Sequence, residues 1–379
     1  MESGVNIEPR KLPLEEQQLI LRAVFQPGSA GRDAAIAWLP HAEIDNMQFE
    51  SLRLMPQLYE RLRREEIADP LLPRLKGLKK HAWSKNQLLF CRTSQAIAAL
   101  RQEGIDVMVI KGMALVLGFY RDFSLRPMND ADLLVPTHHA RRAIEILSHH
   151  GWTSEFADPA NPRRSEWAFQ HEHAAHLSDS LRGLDLHWNL LSCRIGPDAD
   201  QDFWAASVEI GFGKQRFRIL NPADQLLHIC VHGADLTPIR WIPDALVVLR
   251  STPNLDWPRL LMQARKRNLT RMAGKALQQV QRDFADLVPS QVMTELQRSR
   301  VSIFERYECR QLAMPGIRPF ESWLKTLCKF LRLSRGMNLY ARLRLLPEFL
   351  CFLWNVASQR QLPAVFAHKA AKKIHNLFR

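Results

Sequence analysis

Apolar residues recur at helical spacing through most of the first hundred positions of the chain. Three stretches carry this pattern: a leucine-rich run at 14–25, a second run at 46–64 and a long one at 75–103. Pro56 lies inside the second stretch and should divide or kink its helix, because proline removes a backbone hydrogen bond. We therefore predict that residues 1–104 form an N-terminal helical region.

Between residues 105 and 220 the pattern changes to short apolar runs of the length of a β-strand. Runs at 106–110 and 131–135 are each followed by a helical pattern, and strand-like runs at 169–177 and 184–190 come after them. Strands that alternate with helices in this way predict a small mixed β-sheet with helices on one side.

Helical periodicity returns after residue 220 and continues to the end of the chain. We predict one helical region at 221–300 that packs on the sheet, and a basic helical region at 301–379. The sequence as a whole therefore predicts an α+β protein, in which a small mixed sheet at 105–220 is flanked by N-terminal and C-terminal helical regions.

The positive charge of the chain is concentrated at its C-terminal end. The 379 residues carry a net charge of +13, and residues 301–379 alone contain 14 Lys or Arg against 4 Asp or Glu, a net of +10. A basic surface of this kind typically meets phosphate, so nucleic acid, an anionic membrane surface and a polyanionic substrate are candidate partners. The alternative is a solvated basic helix face with no partner.

The cysteine and apolar content favour a cytoplasmic globular protein. The six cysteines are irregularly spaced and form no CxxC pair, which indicates free thiols in a reducing compartment instead of a disulfide framework. The N-terminus has no apolar core of the signal-peptide kind. No run approaches the ~20 apolar residues needed to cross a bilayer. We therefore expect a cytoplasmic chain without a transmembrane segment.

Two acidic residues, Asp130 and Asp132, lead into the apolar run Leu133-Leu134-Val135. Residues i and i+2 of a strand point to the same face, so the two carboxylates should lie side by side. Like charges at such a position repel each other and are costly near a core. A divalent cation removes that cost, and oxygen ligands suit Mg²⁺ or Mn²⁺.

A third acid, Asp185, lies in the later strand-like run and is the candidate to complete a two-metal site. Two metals about 3.5–4 Å apart can stabilise both the attacking and the leaving oxygen of an in-line phosphoryl displacement. The third carboxylate could also take the proton from the attacking hydroxyl. His187 should share the face of Asp185, which makes it a candidate to contact substrate or to orient an aspartate; the alternative is a packed or hydrogen-bonded histidine.

Lys111 and Gly112 stand between the first predicted strand and the helical pattern that follows it. Glycine lets a backbone approach a ligand closely, and the helix N-terminus beyond it favours anions. Arg126 is close enough in sequence to reach either a phosphate or one of the acids, and its fork suits bidentate phosphate contacts. These three residues are candidate nucleotide-binding groups. The alternatives are a solvated loop lysine at 111 and an ion pair of Arg126 with Asp130 or Asp132.

These segments together resemble a known family. The Lys-Gly pair at 111–112, the run Leu-Arg-Pro-Met-Asn-Asp-Ala-Asp-Leu-Leu-Val at 125–135 and Asp-Leu-His-Trp at 185–188 are similar to a family of largely uncharacterised bacterial nucleotidyltransferases. That family belongs to the DNA polymerase beta-like superfamily. The similarity extends over roughly residues 45–290 and includes the segments at 230–233 and 240–244.

The resemblance implies a role for each of the candidate residues. It places Gly112 at the phosphate turn, makes Asp130 and Asp132 metal ligands, and makes Asp185 the third carboxylate. It implies an enzyme that moves a nucleoside monophosphate from a nucleoside triphosphate to a hydroxyl or phosphate acceptor and releases pyrophosphate. The acceptor stays open between a small molecule, a protein hydroxyl and an RNA end.

Two other functions compete with this interpretation. The first is a catalytically inactive nucleotide-binding module whose basic C-terminus docks on nucleic acid or an anionic membrane. The second is a zinc hydrolase built on His171, His173 and His176, of which the first two would share a strand face. Separately, Arg240 and Asp244 are four residues apart, and this spacing predicts an ion pair on one helix.

Overall fold

The computed structural model describes most of the chain. The described residues are 10–154, 171–179, 183–192, 194–233, 237–303, 337–354 and 358–377, with isolated positions between 155 and 170, between 305 and 334, and at 356. They form a mostly helical protein around one mixed sheet of six strands. The predicted α+β fold class is therefore confirmed.

The N-terminal part of the chain is helical, as its apolar periodicity predicts. Pro56 lies in the first turn of a helix, where its missing N–H leaves no intrahelical bond unmade, so the pattern at 46–64 is divided into two helices. The long helix that follows ends one residue before its predicted end. The helices are α1 (Leu14–Phe25), α2 (Gly28–Trp38), α3 (Phe49–Leu52), α4 (Met55–Arg64) and α5 (Leu72–Gln102).

The sheet combines parallel and antiparallel pairs in the order β3-β4-β2-β1-β6-β5. The central strand β2 is antiparallel to β1 and parallel to β4, while β1 is parallel to β6. Both β3-β4 and β5-β6 are antiparallel pairs. The strands are β1 (Met108–Ile110), β2 (Asp130–Leu134), β3 (Ala174–Ser178), β4 (Gly183–His187), β5 (Val208–Phe212) and β6 (Gln215–Ile219).

Two features of the sheet differ from the prediction. The run at 169–177 is not one strand, because position 169 is helical and β3 begins only at 174. The hairpin β5-β6 was missed altogether; it turns at Gly213, whose φ of +59° is a conformation that glycine adopts without strain. β5 is largely exposed, and the apolar residues of both strands alternate with other residues instead of forming the continuous run on which the other strands were predicted.

The remaining helices follow the strands and continue to the C-terminal end. A short helix after β1 runs directly into a π-helical turn at Val116–Tyr120. No helix in the described ranges is long and apolar enough to cross a membrane. These helices are α6 (Lys111–Leu115), α7 (Ala140–His149), α8 (Gln201–Ala205), α9 (Pro222–Gly233), α10 (Pro238–Ser251), α11 (Trp257–Arg267), α12 (Thr270–Asp283), α13 (Ser290–Arg298), α14 (Leu339–Trp354) and α15 (Leu362–Leu377).

Apolar side chains pack against both faces of the sheet. Val109, Leu133 and Leu186 point to the face that α5 and α7 cover. On the opposite face, Ile110 and Leu134 pack with side chains of α8 and α12. The prediction of helices on one side is therefore wrong: the second face is also covered at one end. The polar residues of β2 and β4 lie on this second face, next to the end that the helices cover.

A third and larger core joins the helices that precede the sheet to those that follow it. Apolar residues of α1, α2 and α4 pack with residues of α9 to α13, and Leu115 of α6 belongs to the same cluster. This packing brings α3 and α10 together, although almost two hundred residues separate them. The helical regions therefore meet each other next to the segment that connects β1 with β2.

Candidate active site

The three predicted acids lie on one face of the sheet. Asp132 of β2 and Asp185 of β4 are direct neighbours in the parallel pairing, so their side chains point the same way. Asp130, two residues earlier on β2, lies opposite Gly183. Asp132 is buried, Asp185 is half-buried and Asp130 is exposed at the start of its strand. The structure thus brings all three acids together at one end of β2 and β4.

Two histidines bind the carboxylates from either side. His187 Nε2 lies 3.1 Å from Asp132 Oδ1, and His176 Nδ1 lies 2.7 Å from Asp185 Oδ1. His187 is only 2% exposed, and its Nδ1 has no hydrogen-bond partner within the described part of the chain. One ligand atom each from Asp132, Asp185 and His187 lie within 4.8 Å of one another. This trio could hold a metal ion.

The three histidines of the zinc hypothesis do not form such a group. Among the described residues, His171, His173 and His176 provide no cluster of metal ligands. The first two precede β3 and therefore do not follow its alternation, whereas His176 lies opposite Asp185 and binds it. The geometry gives no support to a zinc hydrolase built on these side chains.

Lys111 directly follows β1, at the position where the chain turns into α6. Its backbone has a φ of +49°, a left-handed conformation that is uncommon outside glycine. Its Nζ lies 2.6 Å from Asp132 Oδ1, and its side chain is 21% exposed. The alternative of a solvated loop lysine is therefore wrong. Lys111 serves as the counter-ion of the buried Asp132.

The pKa values of the acids differ because their surroundings differ. Burial alone would raise the pKa of Asp132, but the hydrogen bond from His187 and the charge of Lys111 lower it to about 2. The pKa of Asp130 is raised, first by burial and then by the charges of Asp132 and Asp185. The three carboxylates share one lysine as a counter-ion and therefore repel one another. A divalent cation would remove the energetic cost of this repulsion. The donor set fits such an ion.

Arg126 is held by a carboxylate far away in sequence. Its Nε and Nη2 donate to the two oxygens of Asp244 at 2.8 and 2.9 Å, and Tyr120 Oη donates to the same carboxylate at 2.9 Å. The alternative in which Arg126 pairs with Asp130 or Asp132 is therefore wrong. The predicted pair of Arg240 with Asp244 is wrong as well, because Asp244 faces inward from α10.

Gly112 lies directly against this arginine. A β-carbon at Gly112 would collide with Arg126 Nη1 and would lie 3.0 Å from Met128 Sδ. Since Asp244 fixes the guanidinium group, the arginine cannot easily move away. The close approach that the sequence predicted for Gly112 is therefore an approach of backbone to side chain within the protein.

Alanine at Gly112 should lower the free energy of unfolding by about 1–3 kcal/mol, the usual cost of forcing extra atoms into a packed site. Gly77 is the matched control, because it lies on an exposed part of α5 where an added β-carbon meets nothing within 4 Å. Alanine there should stabilise the protein by about 0.5–1 kcal/mol. Urea unfolding of both variants measures the two effects. Equal effects would contradict the packing described for Gly112.

A cleft of about 280 Å³ opens in front of the acids. Of the predicted site residues, Lys111, Gly112, Arg126, Asp130 and Asp132 line it, together with residues of α3, α9 and α10. The other two predicted residues lie beside it, on the β4 side of the buried carboxylate. The cleft therefore joins the predicted nucleotide-binding groups to the predicted metal ligands.

Sequence reasoning missed several residues of the cleft. Arg53 follows α3, and His228 and His232 lie one turn apart on α9 with their rings stacked at 5.9 Å. Burial lowers the pKa of His228 well below its ordinary value, so this ring is neutral at pH 7. The only local signal was the spacing of the two histidines, and nothing in the sequence near Arg53 indicates a site.

The fold and the site define an α+β protein with a candidate metal centre on a mixed sheet. The chain belongs to a family described as uncharacterised nucleotidyltransferase, whose sequence model matches residues 48–285. The resemblance derived from the motifs is thereby confirmed. The matched range includes all the residues of the site and leaves out the basic C-terminal region. No curated protein shows significant sequence similarity to the chain.

Proposed function

We propose that this protein is a metal-dependent nucleotidyltransferase that moves a nucleoside monophosphate from a nucleoside triphosphate to a hydroxyl or phosphate acceptor. The observation that carries the proposal is the direct pairing of Asp132 with Asp185 on parallel strands. This pairing places two carboxylates next to each other beside a cleft lined by cationic side chains. Membership of a nucleotidyltransferase family supports the same reaction class.

Each acid has a place in the proposed reaction. Asp130, Asp132 and Asp185 would hold Mg²⁺ or Mn²⁺, which would neutralise the charge that develops on the phosphoryl oxygens. His187 is almost fully buried and donates to Asp132. Of its two predicted roles, substrate contact and orientation of an aspartate, we assign it the second, as partners of metal ligands commonly do.

The bond changes follow from this arrangement. The acceptor oxygen attacks the α-phosphorus, the bond from that phosphorus to the bridging oxygen of the β-phosphate breaks, and pyrophosphate leaves. The proton of an acceptor hydroxyl passes to Asp185 Oδ2, because His176 binds Oδ1. Lys111 and Arg126 bind the phosphates, and Lys111 already places its ammonium group beside Asp132.

Pyrophosphate release is the direct test of this proposal. The full chain is incubated with Mg²⁺ and each α-labelled nucleoside triphosphate, with and without cell lysate as a source of acceptors. We expect pyrophosphate release with at least one nucleotide, and the label should appear in a protein, an RNA or a small molecule. Nucleotide binding without pyrophosphate release under every condition would overturn the enzymatic proposal and favour the inactive binding module.

A further inference from the structure

We infer that Arg53, Arg126 and Arg240 form a binding site for the terminal phosphates of the nucleoside triphosphate. Arg53 belongs to the helical region that precedes the sheet in the sequence, and Arg240 to the one that follows it. All three arginines line the same cleft. The inference rests on the proposed function, because it names the substrate groups that this part of the cleft would take. Nothing in the sequence pattern around the acids points to Arg53.

Within the described part of the chain, the bonds around Asp244 leave Arg53 without a close partner. The carboxylate already accepts two hydrogen bonds from Arg126 and one from Tyr120. Arg53 Nη2 reaches it only at 3.9 Å, which is beyond hydrogen-bonding distance. Burial and the charge of Arg126 lower the pKa of Arg53 to about 10, so the guanidinium remains charged at pH 7. Its side chain is 16% exposed, and its guanidinium donates no hydrogen bond to the residues that the structure describes.

Arg240 is in a similar position on the other wall of the cleft. Its Nη1 lies 3.8 Å from Glu50 Oε1, again too far for a hydrogen bond. Its Nε is buried and has no hydrogen-bond partner among the residues that the structure describes. A buried donor without a partner is costly, and a ligand oxygen would remove that cost.

Positive charge exceeds negative charge in the part of the cleft that the three arginines line. Three guanidinium groups face two carboxylates, of which Asp244 already binds Arg126 through both oxygens and Glu50 is partly exposed. Burying a cation without a close counter-ion is unfavourable unless a ligand supplies the negative charge. Planar guanidinium forks match the oxygens of a phosphate in pairs, which a lysine cannot do. The surplus therefore favours a phosphate ligand.

The position of the arginines selects the terminal phosphates. Arg126 Nη1 packs against Gly112. Lys111, which precedes Gly112 in the sequence, reaches Asp132. The acids would act on the α-phosphate. The rest of the chain of phosphates then lies over Gly112 and ends among the three arginines. Such a site distinguishes a triphosphate from a monophosphate by charge and by length.

Binding of inorganic tripolyphosphate tests the site independently of catalysis and of the nucleobase. Isothermal titration calorimetry with the full chain should show binding to the wild type. Arg53→Met and Arg240→Met keep much of the side-chain volume, and each should weaken binding about 10–100-fold, the usual effect of losing a hydrogen bond to a charged group. Arg63→Met, at an exposed position of α4, is the matched control and should bind like the wild type.

The outcomes separate this inference from the proposed function. If tripolyphosphate binding depends on Arg53 and Arg240 but no nucleotide yields pyrophosphate, the phosphate site stands and the catalytic proposal fails. If pyrophosphate is released with an unchanged KM for the nucleotide in both variants, the inference is overturned and the catalytic proposal stands. Wild-type protein that does not bind tripolyphosphate also overturns it. Circular dichroism checks that each variant folds. If Arg53→Met does not fold, Arg240→Met alone tests the inference, because Arg240 is the more exposed of the two residues.

Discussion

Replacing Asp132 with asparagine should lower the rate of pyrophosphate release by about 10³-fold or more, the scale of losing one group that stabilises a phosphoryl-transfer transition state. Asparagine has the same shape but cannot carry the charge that a metal ion requires. The amide oxygen can still accept from His187, so the sheet should stay folded. Asp33→Asn is the matched control, because Asp33 is exposed on α2 and outside the cleft.

The same variant should also lose stability in a manner that depends on pH. The pKa of Asp132 is lowered from 3.8 to about 2 in the folded protein, so its ionised form stabilises the fold above pH 4. The asparagine variant lacks this contribution, which amounts to about 2 kcal/mol at pH 7. As the pH falls from about 4 to about 2, the wild type loses the same stabilisation and the difference should shrink.

A variant that releases pyrophosphate at close to the wild-type rate would contradict the role of Asp132. Chemical denaturation at pH 7 and pH 3 measures the free energy of unfolding of both proteins without added metal. An equal difference at the two pH values would show that the ionised carboxylate does not contribute as described. The two measurements are independent, since one reports on turnover and the other on the folded protein alone.

Replacing Asp244 with alanine should lower the free energy of unfolding by about 3–5 kcal/mol, the cost of removing one partner of a buried ion pair. The substitution leaves Arg126 without its counter-ion and Tyr120 without its acceptor, and it removes the carboxylate nearest to Arg53. Asp244 is only 6% exposed, so water cannot replace the lost contacts. Guanidinium chloride unfolding, followed by circular dichroism, measures the change.

An exposed ion pair provides the comparison for this prediction. Glu103 binds Arg142 at 2.6 Å, with both side chains about half exposed. Alanine at Glu103 should change stability by no more than about 1 kcal/mol, because surface pairs contribute little. If the two alanine variants are destabilised equally, the charge cluster around Asp244 does not hold the cleft together as the geometry indicates.

The acids of the site were predictable because they depend on local rules. Side chains alternate along a strand, which places Asp130 and Asp132 on one face. Asp185 was indicated by the order of the motifs, which resembles that of a known family. The hydrogen bond of His187 to Asp132 depends on the register between β2 and β4, which the sequence does not specify. A role of His187 in orienting an aspartate was therefore predicted, but the sequence did not specify that the aspartate is Asp132.

The arginine cluster was not predictable from the sequence for a physical reason. Arg126 and Asp244 are 118 residues apart, and they meet only because the helices before and after the sheet share one apolar core. The four-residue spacing predicted an ion pair of Asp244 with Arg240. Tertiary packing instead brings Asp244 into contact with Arg126. The hairpin β5-β6 was missed because its strands carry alternating apolar residues, and only continuous apolar runs were taken as strands.

The parallel register of β2 and β4 has a consequence for the folding of the chain. Side chains alternate along a strand, so a slip of one residue would turn Asp185 to the opposite side of the sheet. Such a misaligned molecule would keep most of its strand pairing and yet be unable to chelate a divalent ion. With the metal site proposed above, affinity for Mn²⁺ would be a quality test for refolded preparations, since it would detect an alignment error that circular dichroism would overlook.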